Sequence, residues 1–175
     1  MDNTQEDIKS LNQPRLNLHR IYVKSSTFES FSVSVASLQM PVQPSLEMQV
    51  FANAYARDNN THQVVLGLKI SAKHNGELIW KADLEETGFY TLEGFSEAQQ
   101  QDILNGYCMN QLYSHAAVVV TQLVTQGGFS PIYLQPMDFN KLYQEQKKAS
   151  VPEEQAEVFS KRLNDVMLVS EQAIN

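Results

Sequence analysis

The feature that most constrains the fold is an apolar side chain at every second position through three successive segments. This period of two is typical of β-strands that bury one face. The polar run from Arg57 to Thr61 predicts a turn after the first segment. Asn75-Gly76 predicts a tight type I′ hairpin before the third, and the stretch from Phe89 to Leu92 extends or flanks that third strand. The pattern predicts an antiparallel sheet. The alternating residues are Leu46, Met48, Val50, Ala52 and Ala54, then Val64, Leu66, Leu68, Ile70 and Ala72, then Leu78, Trp80, Ala82 and Leu84.

A further strand precedes these three. Leu16 and Leu18 alternate, and so do Ile21 and Val23, but the phase shifts by one residue between the two pairs. Because a single extra residue moves later side chains to the other face of a strand, the shift predicts a bulge or bend near His19-Arg20.

Helical signals follow the strands. Ser96 and Gln99 form a capping box that starts a helix, and Asn105-Gly106 interrupts it. A second helical run goes from about Asn110 to Gln126 and stops at Gly127-Gly128. Asp138 can cap another helix. Strands first and helices after indicate the α+β class.

The run from Asn110 to Gln126 is apolar on two faces, which predicts burial on two sides. One face can pack on the sheet, and the other then requires a partner such as a second subunit. The apolar positions are Leu112, Ala116, Val119 and Leu123 on one face, and Tyr113, Ala117, Val120 and Val124 on the other.

Three regions are expected along the chain. Residues 1–14 are polar and are interpreted as a flexible tail, residues 15–149 as one folded domain, and residues 150–175 as an amphipathic helix. That last helix begins with a capping box at Ser150. Its apolar stripe consists of Phe159, Leu163, Val166, Met167 and Ile174.

Composition excludes several classes of protein. The net charge of -7 and the pI of about 5.0 leave little to neutralise phosphates, so nucleic acid is not an expected partner. The single cysteine, Cys108, cannot form an internal disulfide, which favours a reducing compartment. The N-terminus has no signal-peptide pattern and no apolar run is long enough to cross a membrane. We therefore expect a cytoplasmic protein that does not insert into membranes.

No catalytic, cofactor-binding or metal-binding constellation is expected. The four histidines are separated in sequence, and His115 on its apolar helix is interpreted as a satisfied buried or interface residue. Cys108 has no signature of a nucleophile. Glu85 and Glu86 resemble paired acids, but neighbours on a strand point to opposite faces. An enzyme is therefore not predicted.

The chain resembles the SecB family of export chaperones over roughly residues 20–143. The motifs share their order and spacing with the family, although each is short. They are Arg20-Ile21-Tyr22-Val23-Lys24, Phe28-Glu29, Gln43-Pro44, Val64-Val65-Leu66, Gly88-Phe89, Cys108 followed by Asn110, Gly128-Phe129, and the run from Leu134 to Leu142.

The resemblance implies a homotetramer, a dimer of dimers, with four-stranded antiparallel sheets outside and long helices between them. Such a protein holds unfolded or precursor polypeptides without ATP and passes them to the SecA motor. The implied oligomer interface comprises Trp80, Ala82, Leu84, Leu112, Ala116, Val119 and Leu123.

The resemblance also implies an apolar client groove. Unfolded chains share no sequence, so a protein that holds them relies on non-directional apolar contact and backbone hydrogen bonds. An alternative stays open, in which the three residues from the second strand are simply a core face. The implied groove residues are Leu46, Met48, Val50, Leu142 and Tyr143.

The implied SecA contacts are Glu29 and Asp83. This chain departs from the family pattern at Ser25, where an aspartate is usual, and at Lys81, where an apolar residue is usual. Both changes make the surface less acidic, which puts SecA binding in question. The C-terminal helix also departs from the family's acidic tail, and it could pack on its own subunit, cover the groove or bind a partner.

Three functions are therefore weighed. The first is a general or export-linked holdase. The second is a SecB-like chaperone for one dedicated client, such as an antitoxin, without a SecA role. The third is a small enzyme or ligand-binding domain on the same α+β scaffold, which requires a converging polar pocket.

Overall fold

The computed structural model describes residues 13–31 and 44–149. Its centre is a four-stranded antiparallel sheet. The strands are β1 (Arg15–Ser30), β2 (Ser45–Ala56), β3 (Thr61–His74) and β4 (Glu77–Glu93), and they lie in the order β1-β4-β3-β2. The predicted sheet is confirmed, and β1 and β4 are longer than the apolar pattern indicated.

Two turns connect the last three strands. At the β3–β4 hairpin, Asn75 and Gly76 have φ values of 52° and 83°, the left-handed pair that a type I′ turn requires. At the β2–β3 turn, Asn59 and Asn60 both have a φ of 56°. Asparagine tolerates this region better than other residues with a Cβ, so the polar run forms the predicted turn.

Strand β1 contains two register shifts against β4. One falls between Leu18 and Arg20, and the other between Val23 and Ser25. The first is the predicted bulge at His19. The second, at Lys24, was not predicted, because the residues after it are polar. Each shift adds one unpaired residue and keeps the apolar side chains on the face that covers the core.

The helical half of the chain is continuous from α1 to α2. Helix α1 (Glu97–Asp102) starts at the predicted capping box, a π-helical segment (Ile103–Cys108) follows, and α2 (Met109–Gln126) continues from it. The predicted interruption at Asn105-Gly106 is therefore a change from α- to π-helical geometry. Helix α2 ends at Gly127-Gly128 as predicted, and Gly128 has a φ of 86°.

Helix α3 (Phe139–Ala149) completes the described fold. Asp138 precedes it, and the backbone N–H of Lys141 donates to the Asp138 carboxylate at 3.1 Å. The predicted N-terminal cap is thus confirmed. The domain expected for residues 15–149 is consistent with this boundary and stays a prediction. The predicted helix at 150–175 lies outside the described residues, and so do residues 1–12 of the predicted tail.

The core lies between the sheet and helix α2. Even-numbered residues of β4 face inward, and Trp80, Tyr90 and Leu92 are fully buried there. The Trp80 ring stacks on Phe28 of β1, with 5.8 Å between ring centroids. Burying each large apolar side chain contributes about 1.5–3 kcal/mol, so this layer positions both the helix and the sheet. Among residues 13–31 and 44–149, no helix is long and apolar enough to cross a membrane.

Candidate functional site

The first wall of the predicted groove is the inward face of β2. Val50 is fully buried and Met48 is 6% exposed, whereas Leu46 is 41% exposed. Met48 pairs with Ile70 and Val50 with Leu68 in the β2–β3 register. Within one chain, Met48 and Val50 therefore belong to the core, as the core-face alternative expects. Leu46 keeps part of its apolar side chain exposed, and its role in binding stays a prediction.

The second wall is helix α3. Leu142 is half-buried and packs against the core cluster. Tyr143 is also half-buried, and the Lys147 ammonium lies 4.8 Å from its ring centroid. Strand β2 and helix α3 share contact with the π-helical segment. Leu46 aligns through Ala72 with Trp80, whereas the β4 residue that bonds to the π-helical segment is Tyr90.

Close packing fixes α3 to the π-helical segment. Gly106 lies so near Asn140 that a Cβ on the glycine would stand 3.3 Å from the Asn140 Cα and still closer to its side chain. The Asn110 side chain accepts a hydrogen bond of 3.0 Å from the Phe139 backbone N–H. Asp102 accepts a bond of 3.1 Å from Gln144 and pairs with Lys147. These contacts hold α3 at both ends.

The connection between α2 and α3 supplies apolar residues that the sequence analysis did not select. Tyr133 is 79% exposed, the most exposed large apolar residue described, and Ile132 and Leu134 pack partly against the core. Two hydroxyl groups of α2 hold this connection. Thr121 donates to the Ile132 carbonyl at 2.7 Å, and Tyr113 donates to the Gln135 carbonyl at 2.8 Å. In the sequence, the alternation of Ile132 and Leu134 between two prolines was the pattern that could have indicated these partly buried residues.

The predicted interface residues divide into two groups. Trp80, Ala82, Leu84, Leu112 and Ala116 are 0–4% exposed in the single chain, so their side chains are already covered by their own subunit. Val119 and Leu123 of α2 are half-buried. Their role in subunit contact stays a prediction. Val118, which was not among the predicted interface residues, is 56% exposed on the same helix.

The outer face of the sheet carries the predicted SecA contacts. Glu29 on β1 pairs with Lys81 on β4, with 3.0 Å between the carboxylate and the ammonium. Lys24 pairs with Glu85 at 2.6 Å, and this hydrogen bond raises the lysine pKa. Asp83 stands opposite Lys69 in the β3–β4 register. Lysines of the chain itself therefore partner two of the acids on this face.

A concave depression of about 610 Å³ lies on this outer face. Phe51 and Tyr55 of β2 form its aromatic side, and they are 38% and 47% exposed. Asp83 and Glu85 line the opposite side together with Lys24 and Ser25. The depression mixes charged, polar and aromatic groups on a sheet surface.

Reactive groups are few in the described part of the chain. Cys108 is fully buried, and burial raises the pKa of its thiol to about 12. No cluster of three or more histidine, cysteine or acidic residues suited to a metal ion occurs among residues 13–31 and 44–149. Glu85 faces outward and Glu86 inward, as predicted for neighbours on a strand.

Comparison with known proteins gives consistent results. The family model described as preprotein translocase subunit SecB matches residues 9–150. The protein-export protein SecB of Psychrobacter cryohalolentis is 34% identical over 143 residues, which are 81% of this chain and 94% of that protein. The protein-export protein SecB of Nitrosococcus oceani is 31% identical over 137 residues, which are 78% and 84% of the two chains.

A solved structure has the same fold. It is the SecB-like chaperone Rv1957 of Mycobacterium tuberculosis, in complex with a ChAD peptide from the Rv1956 HigA1 antitoxin. Its TM-score is 0.60 at 11% sequence identity, over 71% of this chain and 91% of that one. The predicted resemblance and fold class are thus confirmed, and the chain belongs to the SecB family.

Proposed function

We propose that this protein is an ATP-independent holdase that binds unfolded polypeptides through apolar surface on β2 and α3. The observation that carries the proposal is the partial exposure of apolar residues on these two rigidly held elements. Leu46 is 41% exposed on β2, and Leu142 and Tyr143 are half-buried on α3. Apolar contact of this kind does not depend on client sequence.

Strand β2 adds a second mode of contact. It is an edge strand of the described sheet, and an edge can pair with an extended polypeptide through backbone hydrogen bonds. Backbone pairing and apolar pockets together suit clients that share no sequence. This activity requires no catalysis and no cofactor, and we assign it to the cytoplasm, where newly made chains are unfolded.

We further propose that the protein acts in export and assembles as a homotetramer. Its SecB relatives are named protein-export proteins, which supports precursor polypeptides as clients and SecA as a receiving partner. Half-buried Val119 and Leu123, together with exposed Val118, support helix α2 as a subunit contact. The pairing of Glu29 with Lys81 weakens the acidic surface proposed for SecA, so SecA binding should be weak.

That weakened acidic surface favours a second candidate, a chaperone dedicated to one client. The SecB-like protein of the same fold is described in complex with an antitoxin peptide. A dedicated chaperone protects its own client and leaves unrelated unfolded proteins unprotected. A general holdase protects them at similar molar ratios.

One experiment tests the proposal. The mass of the full chain in solution is measured, and the chain is added at increasing ratio to two unrelated, chemically unfolded proteins during dilution. We expect a tetramer that suppresses the aggregation of both. Suppression of neither, with a monomeric mass, would contradict the holdase proposal. Suppression of only one would favour the dedicated chaperone.

A further inference from the structure

An acidic residue lies in the apolar layer between the sheet and helix α2. Glu86 is on the inward face of β4 and is fully buried. Its neighbours in register are Val23 on β1 and Leu66 on β3, so the flanking strands offer it no charge. An ionised carboxylate is strongly disfavoured in such surroundings unless a partner compensates it.

The partner comes from helix α2. The His115 ring Nδ1 lies 2.8 Å from Glu86 Oε1, while the second oxygen, Oε2, has no hydrogen-bond partner among the described residues. His115 is 48% exposed and so reaches water. In the single chain, one side of this pair is therefore sealed in the core and the other is open to solvent.

Few other titratable groups face the carboxyl. Tyr90, four residues along β4 and on the same face, lies close enough for the Glu86 charge to act on it, and burial is the main cause of the raised pKa of that phenol. The Tyr90 hydroxyl donates to the Cys108 carbonyl at 3.5 Å. Helix α2 contributes the apolar side chain of Leu112 next to Gly88 of β4, which adds no charge near the carboxyl. In the described part of the chain, His115 is the group that can neutralise Glu86.

We propose that Glu86 and His115 form a proton-binding clamp that fastens helix α2 to the sheet. With the proton on the carboxyl, which then donates to His115 Nδ1, the pair has no net charge. Loss of that proton leaves a buried negative charge held by one hydrogen bond. Release of the carboxyl proton therefore loosens the helix that covers the core.

The direction of the pH effect follows from burial. Burial raises the pKa of Glu86 above its ordinary value of 4.5, and the hydrogen bond from His115 only partly opposes this. At Glu86, the folded chain then binds more protons than the unfolded chain between pH 4.5 and this raised pKa. Its stability is therefore present at acidic pH and is lost as the pH rises through the raised pKa. For one proton, the folding equilibrium constant changes by up to about tenfold per pH unit.

The test uses two glutamates that are adjacent in sequence. Thermal unfolding of the full chain is measured for wild type, Glu86→Gln and Glu85→Gln. The pH runs from about 5 to 9, upward from the ordinary pKa range of glutamate. Both variants remove one carboxylate from β4, but Glu85 faces outward. We expect Glu86→Gln to flatten the decline of Tm with pH and to raise Tm at the alkaline end. Glu85→Gln should keep the wild-type slope.

A double-mutant cycle adds the histidine. His115→Gln should lower Tm in the wild-type chain and leave it unchanged in the Glu86→Gln chain, because the clamp is already absent there. Equal slopes for Glu86→Gln and Glu85→Gln, or additive effects in the cycle, would refute the clamp.

A measurement on the unaltered sequence covers the case in which a variant does not fold. The carbon-13 shift of the Glu86 carboxyl, followed by NMR against pH, should titrate above the ordinary glutamate range. Titration within or below that range would also overturn the proposal. Both readouts concern folding and the protonation of Glu86, so they stand apart from any failure of client binding.

Discussion

The Lys81 ammonium lies 3.0 Å from the Glu29 carboxylate across the β1–β4 pair. These two residues are directly opposite each other in the register. In the family resemblance, Glu29 belongs to the acidic surface for SecA and Lys81 replaces an apolar residue. The lysine at position 81 therefore forms an ion pair with Glu29, the acid that the resemblance assigns to SecA contact.

Replacing Lys81 by leucine should restore that acid to a partner. We expect Lys81→Leu to increase SecA binding, and Lys81→Leu with Ser25→Asp to increase it further, as measured by pull-down and titration calorimetry. Stability should change by only ~0.2–1 kcal/mol, the usual range for an exposed pair. Lys73→Leu is the matched control, because Lys73 pairs with Glu47 elsewhere on the sheet. Strong SecA binding by the unmodified protein would contradict this prediction.

Substitutions at Leu46 and Val50 should affect client binding and folding differently. Leu46 is 41% exposed and Val50 is fully buried on the same face of β2. Leu46→Gln should weaken suppression of client aggregation with little change in the free energy of unfolding. Val50→Ala should lower that free energy by about 1–3 kcal/mol, through lost burial and a cavity. Urea unfolding and light scattering measure the two effects, and unchanged client protection by Leu46→Gln would remove this residue from the groove.

Gly106 should be intolerant of a side chain. Because an added Cβ would collide with Asn140, Gly106→Ala should displace α3 and destabilise the fold by about 1–3 kcal/mol. Proteolysis near α3 should become faster. The double variant Gly106→Ala with Asn140→Ala should recover part of the loss, since the nearest colliding atoms belong to the asparagine side chain. Full stability of Gly106→Ala alone would show that α3 is not held this closely.

Cys108 should resist alkylation while the chain is folded. Its thiol is fully buried and burial raises its pKa to about 12, so little reactive thiolate exists at pH 8. Iodoacetamide labelling followed by mass spectrometry should detect almost no product without denaturant and complete reaction in urea. Rapid labelling of the folded chain would indicate that the π-helical segment opens.

Alternation predicted the sheet well, because one face of each strand packs on a core. Asn75-Gly76 predicted its turn for a local reason, since both residues adopt positive φ. Strand β1 was harder to delimit. From Ser25 to Thr27 the chain is polar, and only pairing with β4 reveals that these residues continue the strand.

The helical half shows what a linear pattern misses. Asn105-Gly106 reads as a break, yet tertiary contact with Asn140 makes a glycine necessary within a continuous π-helical segment. The groove residues illustrate the same limit. An apolar period does not distinguish Val50, which is fully buried, from Leu46, which is 41% exposed, because exposure depends on where the covering helices end.

The two bulges of β1 have a consequence for how this strand can change length in evolution. His19 and Lys24 each stand where the pairing with β4 slips by one residue. Deleting either residue would restore plain alternation, so Leu18 and Ile21, or Val23 and Phe28, would still face the core. A deletion elsewhere in the strand would turn its apolar side chains outward. Gain and loss of single residues should therefore be confined to these two points among relatives.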